Sequence, residues 1–239
     1  MSFTKSTGNM YPWVTHCHSF LRGACPHKCS YCYARDALRG HPSRQEGPLA
    51  LDWTDLEAVR YPAGSTVFVE HKNDLWADLV PDHWIAAALR VSALRHHVGN
   101  VRSVFQSKNP RRFYHWLGGF GPNDIVGTTI ETNRDIPAEI SLAPQPKARA
   151  LGLSMVPKKH LRFVTIEPVM AFDVDDFTRM LVDLRPTWIN IGADSKRKNL
   201  PEPDAASVRS LLLNLSLTGI EIRVKHNLNR ILKQEVRHE

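Results

Sequence analysis

Short apolar runs, each closed by polar or turn-forming residues, alternate along this 239-residue chain with stretches of helical period. The runs cover residues 11–17, 66–70, 101–106, 125–130, 161–166 and 187–191, with a shorter one at 221–224. Compact runs of this length, apolar on both faces, suit the buried strands of a parallel sheet. Between them, Pro81 opens a helix whose apolar positions Trp84, Ile85, Ala88 and Leu89 recur at helical spacing. Further helices are expected at 111–117, at 147–153 after Pro144 and Pro146, at 174–184 and at 205–217, with shorter ones at 30–38 and 55–59. Asp175 and Asp176 stand in the first turn of 174–184, where acids suit the helix dipole. Strand and helix alternate about six times. That alternation predicts an α/β fold, a parallel sheet with right-handed crossovers curved as a barrel or partial barrel.

Length fits one such domain over residues 1–239, with a charged tail at 225–239. Residues 40–51 are a Pro-, Gly- and charge-rich connector. Residues 118–122 form a glycine-rich turn, and no Lys-Ser/Thr pair follows to make it a phosphate loop. No stretch approaches the roughly 18 apolar residues of a membrane span, and residues 1–9 lack a signal-peptide core. The expected partners therefore include no membrane. Four cysteines, three of them clustered, point to a metal site in a reducing, cytoplasmic setting and away from a secreted disulfide scaffold. A net charge of +7 and a pI near 9.4 favour an anionic partner, a nucleotide or nucleic acid. Arg111-Arg112, Lys158-Lys159 and Lys196-Arg197-Lys198 are either phosphate contacts or solvated charge.

The cysteine-rich stretch runs Cys25-Pro26-His27-Lys28-Cys29-Ser30-Tyr31-Cys32-Tyr33-Ala34, spaced C-x3-C-x2-C. Three thiols so close cannot all pair as disulfides. As thiolates they suit zinc, copper(I) or an iron–sulfur cluster. A closed four-ligand site needs one more donor, which His16 or His18 would have to supply; otherwise one coordination position stays open. Cys17 reads as a small buried hydrophobe. A second pattern sits at the strand ends, where Glu70, Asn73, Lys108, Glu131, Arg134, Glu167, Asp194 and Lys225 follow apolar runs. In a β/α barrel such positions face the site. Trp76, near one of these ends, is a candidate for stacking on a ligand.

The loop, with its Cys-x-Tyr-Cys-Tyr-Ala close, resembles the cluster loop of the radical S-adenosylmethionine (SAM) superfamily. That resemblance implies a partial (β/α)6 barrel of TIM-like type, with the cluster loop at residues 18–34. It also implies a 4Fe–4S cluster on Cys25, Cys29 and Cys32, with SAM chelating the fourth iron, and an external one-electron reductant such as flavodoxin or ferredoxin. The chemistry implied is reductive cleavage of SAM to methionine and a 5′-deoxyadenosyl radical that takes a hydrogen atom from substrate. Tyr31 would pack near the adenine of SAM. The strand-end residues would supply the other SAM contacts, Glu131 or Glu70 to its ammonium or ribose and Lys108 or Arg134 to its carboxylate. A closer similarity, to a phage-associated radical-SAM-like family with no assigned reaction, extends over most of the chain. It rests on Asn73-Asp74-Leu75-Trp76, Ser107-Lys108-Asn109-Pro110, Gly127 to Asn133, Phe163 to Pro168, and Lys225-His226-Asn227. At 191–195 the chain has Ile-Gly-Ala-Asp-Ser where that family tends to Gly-Gly-Glu-Ser. More distantly, the loop is similar to that of the spore photoproduct lyase branch, with no cysteine at a matching hydrogen-donor position. The alternatives are the same radical chemistry on a small metabolite or peptide, and a non-catalytic zinc or iron–sulfur protein that binds nucleic acid.

Overall fold

The computed structural model describes residues 3–37 and 47–233. The end of the helix expected at 30–38, residues 40–46 of the connector and the tail beyond 233 lie outside them. Eight strands form one sheet in the order β1-β2-β5-β6-β7-β8-β9-β10. They are β1 (Phe3–Lys5), β2 (His16–His18), β5 (Thr66–Val69), β6 (Arg102–Ser107), β7 (Ile125–Thr129), β8 (Leu161–Ile166), β9 (Trp188–Ile191) and β10 (Glu221–Val224). From β2 to β10 every neighbouring pair is parallel, and only β1 runs antiparallel, on β2. Among the described residues β1 and β10 are the two ends of the sheet, so it stays open between them. A small antiparallel pair, β3 (Leu21–Arg22) with β4 (Ala50–Leu51), stands apart.

Helices lie between the parallel strands: α1 (Tyr33–Ala37), α2 (Trp53–Ala58), α3 (Asp82–Gly99), α4 (Pro146–Ser154), α5 (Val174–Leu184) and α6 (Ala205–Ser216), and the short α7 (Asn229–Leu232) follows β10. The helix expected at 111–117 is present as 3₁₀ turns over Pro110–Gly119. Alternate strand residues point to opposite faces. On one face Val69, Phe105, Val126, Val164 and Ile189 pack against Ile85, Leu89, Leu153, Phe177, Leu181 and Leu211 of the helices. On the other, Cys17, Phe68, Val104, Ile125, Phe163 and Trp188 lie under Tyr11 and Val14, with Met10 and Trp13 beside them.

Residues 10–14 thus correct the expected first strand. They are apolar because they cover the sheet, and the ladder begins only at His16. This covering segment, here called the strap, also reaches a second tier. Tyr11 Oη bonds Gln106 at 2.8 Å and Thr165 at 2.6 Å, and Gln106 donates to Thr129 at 2.8 Å. Two residues further along the same strands come Lys108, Glu131, Glu167, Gly192 and Lys225. The covered face therefore rises from an apolar tier through a hydroxyl–amide tier to a charged tier at the carboxyl ends.

Trp76 belongs to the core. It is 1% exposed and packs edge-on to Phe105 and Phe113, so it is closed to a ligand. Gly127 lets the apolar tier close, since a Cβ there would fall 2.3 Å from the Phe163 ring, itself stacked on Trp188 at 5.5 Å. Gly127→Ala is expected to cost about 1–3 kcal/mol through overpacking, read as a lower urea midpoint at unchanged m-value.

Candidate functional site

Residues 23–32 cross the carboxyl edge of the sheet between β3 and α1. Gly23, at φ +85°, passes so close to the chain before β4 that a Cβ would lie 2.2 Å from the Pro48 carbonyl oxygen. Only glycine permits that approach. Downstream, Ser30 N–H donates to Ile140 and Leu142 N–H to His27, which fastens the loop to the segment before α4. Cys29 is buried with Sγ 3.2 Å from Ser141 Oγ. His27, between two of the cysteines, is buried too, its Nε2 2.7 Å from Asp74 Oδ2. The same oxygen accepts from Ser107 Oγ at 3.0 Å and Lys108 N–H at 2.9 Å, and the other from Trp76 N–H at 2.9 Å. Burial alone would push the Asp74 carboxyl up, but His27 and these donors hold it below the usual range. Asp74 thereby ties the cysteine loop to the ends of β5 and β6.

Among the described residues no three His, Cys, Asp or Glu side chains converge closely enough to hold one metal ion. A 4Fe–4S cluster asks for something different, because each thiolate binds its own iron. The donor set fits that group. Three thiols come from one braced loop, and Cys25 and Cys32 are partly open while Cys29 is buried. Burial pushes the Cys25 and Cys32 thiols up; Asp74 and then the two other thiols push Cys25 further, and Cys29 pushes Cys32.

Beside the loop stands a charged group. Glu131, at the end of β7, is fully buried and accepts from Lys108 Nζ at 2.6 Å and Arg149 Nη1 at 2.6 Å. Tyr31 Oη, from the cysteine loop, donates to the same oxygen as Lys108. Lys108 Nζ also lies 5.2 Å from the centre of the Tyr31 ring, within cation–π reach. Burial opposes ionisation of Glu131, but Arg149 and then Lys108 overcome it and hold the carboxyl at about 2. Two cations thus share one carboxylate, which leaves a net positive charge next to the cysteines.

A second charged group occupies the ends of β8 and β10. Glu167 accepts from Lys225 Nζ at 2.6 Å, Asn9 Nδ2 at 2.7 Å and Asn227 Nδ2 at 2.8 Å. The remaining candidates lie apart from both groups. Glu70, at φ +59°, turns out of its strand, and one carboxylate oxygen accepts the Phe20 and Leu21 amides while the other is buried with no partner among the described residues. Burial raises its carboxyl to about 8. Asn73 caps the Asp74 amide at 2.9 Å and donates to Gly23. Arg134 forms a half-exposed ion pair with Asp173 at 2.6 Å. The Asp194 carboxylate accepts the Lys196 and Lys198 amides of its own loop. His16 and His18 point away from the cysteines. His18 bonds Tyr61 Oη at 2.7 Å, and His16 stacks on Phe3 at 4.9 Å.

Arg149, Asp74 and Asn9 escaped the sequence reading. Arg149 had one visible signal, a lone arginine flanked by Ala148 and Ala150 on an otherwise small, apolar helix face. Asp74 was quoted only as part of a motif, and Asn9 carried no signal at all.

No family model matches the chain, and no curated protein matches it by sequence. Solved structures do. A spore photoproduct lyase point variant superimposes with a TM-score of 0.65 over 92% of this chain and 79% of its own, at 11% identity. Another variant of that lyase, with AdoMet and a dinucleoside spore photoproduct bound, gives 0.56 over 90% of this chain at 12% identity. There the chain spans only 65% of the lyase. A radical SAM methyltransferase from Sphaerobacter thermophilus gives 0.57, at 12% identity, over 90% of this chain and 67% of its own. At such identities the likeness speaks for the fold alone, one shared with spore photoproduct lyase and with a radical SAM methyltransferase.

Proposed function

We propose that this chain is a radical SAM enzyme acting on a nucleotide or nucleic-acid substrate, its sheet curved as a partial (β/α)6 barrel. One observation carries the reading. In a fold shared with radical SAM enzymes, a braced loop with three thiols lies beside a buried Tyr31–Lys108–Glu131–Arg149 group. Cys25, Cys29 and Cys32 would hold a 4Fe–4S cluster. With SAM present, that cluster supplies reductive cleavage of the sulfonium and hydrogen-atom abstraction. Lys108 offers a cation to the SAM carboxylate and the Tyr31 ring offers a flat face, while Glu131, buried and shared by Lys108, Tyr31 and Arg149, holds those two in place and is closed to the SAM ammonium. Asp74 keeps the loop and Lys108 in register through His27 and the Lys108 amide.

The substrate class is supported by charge. The chain carries +7, and a polar cavity of about 410 Å³ at the end of β9 is lined by Arg197 and Arg230 with Asp194, Asn199, Leu200 and Glu202. Arg230 is held by Glu202 at 2.7 Å, whereas Arg197 is exposed. One structure that shares the fold holds a dinucleoside. As in that lyase complex, a nucleic-acid fragment is the substrate class to try first.

The test is anaerobic reconstitution with iron and sulfide, then dithionite and SAM, with 5′-deoxyadenosine measured by chromatography. The native chain is expected to release it, and Cys29→Ala to give no more than the protein-free control. A cluster that forms while SAM neither binds nor perturbs its spectrum would replace this reading with the non-catalytic binding module.

A further inference from the structure

The segment between β7 and α4 grips the cysteine loop, and it brings one hydroxyl to the middle cysteine. Gln145 ties the segment to itself, its side chain accepting the Ile136 amide at 2.7 Å and donating to the Ile136 carbonyl at 2.9 Å. The Ile140 and Ser141 amides both donate to the Pro137 carbonyl, at 2.9 and 3.1 Å. Ile136 and Ile140 pack with Cys29 and Tyr31. Ser141 therefore stands, with its backbone fixed, between the two bonds that join segment and loop, Ser30 to Ile140 and Leu142 to His27. It is 2% exposed, and its Oγ lies 3.2 Å from Cys29 Sγ.

The direction of that contact follows from its partners. Ser141 Oγ accepts the Ala143 amide at 3.2 Å, and among the described residues Cys29 is the partner left for the hydroxyl proton. A cysteine that binds iron is a thiolate and has no proton to give, so in that state the hydroxyl is the donor. The other two cysteines are served by the main chain of their own loop. Cys25 receives the His27 amide, and Cys32 receives the Ala34 and Arg35 amides where α1 begins. Cys29 draws its donor from outside the loop, from a side chain that a single substitution removes.

We infer that Ser141 is a positioning residue for the cluster, whose hydroxyl donates to the Cys29 thiolate and raises the reduction potential. The step concerned is the passage of one electron from the external reductant to the cluster, with no proton moved and no bond formed or broken. The added negative charge is shared by the ligating sulfurs, and a hydrogen bond gains strength as its acceptor becomes more negative. Ser141 thus favours the reduced form. The inference rests on the proposed function only in taking Cys29 as a cluster ligand; neither SAM nor substrate enters it.

Potentiometric titration of the reconstituted protein without SAM, read by electron paramagnetic resonance of the reduced cluster, tests it. Ser141→Ala is expected to disfavour the reduced form about tenfold, a fall of about 59 mV in the midpoint of a one-electron couple. Ser141→Thr keeps the hydroxyl and should stay close to the native midpoint. After exchange into heavy water, electron–nuclear double resonance should find a deuteron coupled to the native cluster that Ser141→Ala lacks. The inference is overturned if Ser141→Ala leaves the midpoint unchanged or raises it, or if Ser141→Thr lowers it as far as Ser141→Ala does. It is also overturned if Ser141→Ala takes up no cluster, which would make Ser141 a brace of the loop and nothing more. A native chain that takes up no cluster removes the proposed function as well, whereas equal midpoints in the native chain and Ser141→Ala remove this inference alone.

Discussion

Arg149→Met is expected to destabilise the chain by about 3 kcal/mol, because it leaves the fully buried Glu131 carboxylate short of its main counter-charge. Both side chains of that pair are 0% exposed, so water cannot replace the lost partner. Lys108 and Tyr31 remain on the other carboxylate oxygen, which keeps the loss toward the lower end for a broken buried pair. Urea unfolding of the two proteins reads the difference. Combining Arg149→Met with Glu131→Gln should cost less than the sum of the two single changes, since neither charge is then stranded. Equal and additive losses would show that the two residues do not act as a pair.

Stability of the cluster-free chain should peak near pH 6.5 and fall by roughly 1 kcal/mol on going to pH 8, with Glu70 as the cause. Burial raises the Glu70 carboxyl from 4.5 to about 8, so above pH 4.5 the unfolded chain has released a proton that the folded chain keeps. Its contribution is whole below 4.5 and is lost as pH rises through 8. His16, His18, His71 and His160 act the other way at lower pH, the two most buried by the most. Burial lowers His18 to about 4 and His71 to about 3, from 6.5. Between those values and 6.5 the unfolded state binds more protons, so stability climbs with pH there. Glu131, held at about 2, loses its contribution only as pH falls below 4.5. Above 6.5 the decline therefore belongs to Glu70. Chemical denaturation across pH 5–8 should show it, and Glu70→Gln should flatten the upper limb. A native curve that rises from pH 6.5 to 8 would rule out a neutral, buried Glu70.

The central strands were legible because each is apolar on both faces and ends abruptly in polar residues, as at Val104 to Lys108 and Ile125 to Glu131. The first strand misled for a physical reason. An apolar run signals burial, and Tyr11 to Val14 are buried by lying across the sheet instead of joining its ladder. Strand β1 was invisible, since three residues at an edge carry no period. The cysteines announced themselves through spacing. Asp74, Arg149 and Asn9 did not, because their roles depend on partners far away in the chain. Asp74 takes its meaning from His27 and Ser107, and Arg149 from Glu131 on a different element. Charge recurring after apolar strands pointed to one level of the molecule, but it did not separate the buried Lys108 and Glu131 from Arg134, which faces solvent with Asp173.

The three tiers of the covered face also bear on how such a protein can change over time. Foldability is vested in the lowest tier, around Phe163, Trp188 and Gly127, and the buried charges lie in the highest, just past the strand ends. The Gln106–Thr129–Thr165 layer keeps the two from touching, so substitutions above and below it should combine nearly independently. New specificities can then be sampled at positions such as 167, 192 and 225 without putting the scaffold at risk. That insulation is one physical reason a single sheet architecture can host many unrelated reactions.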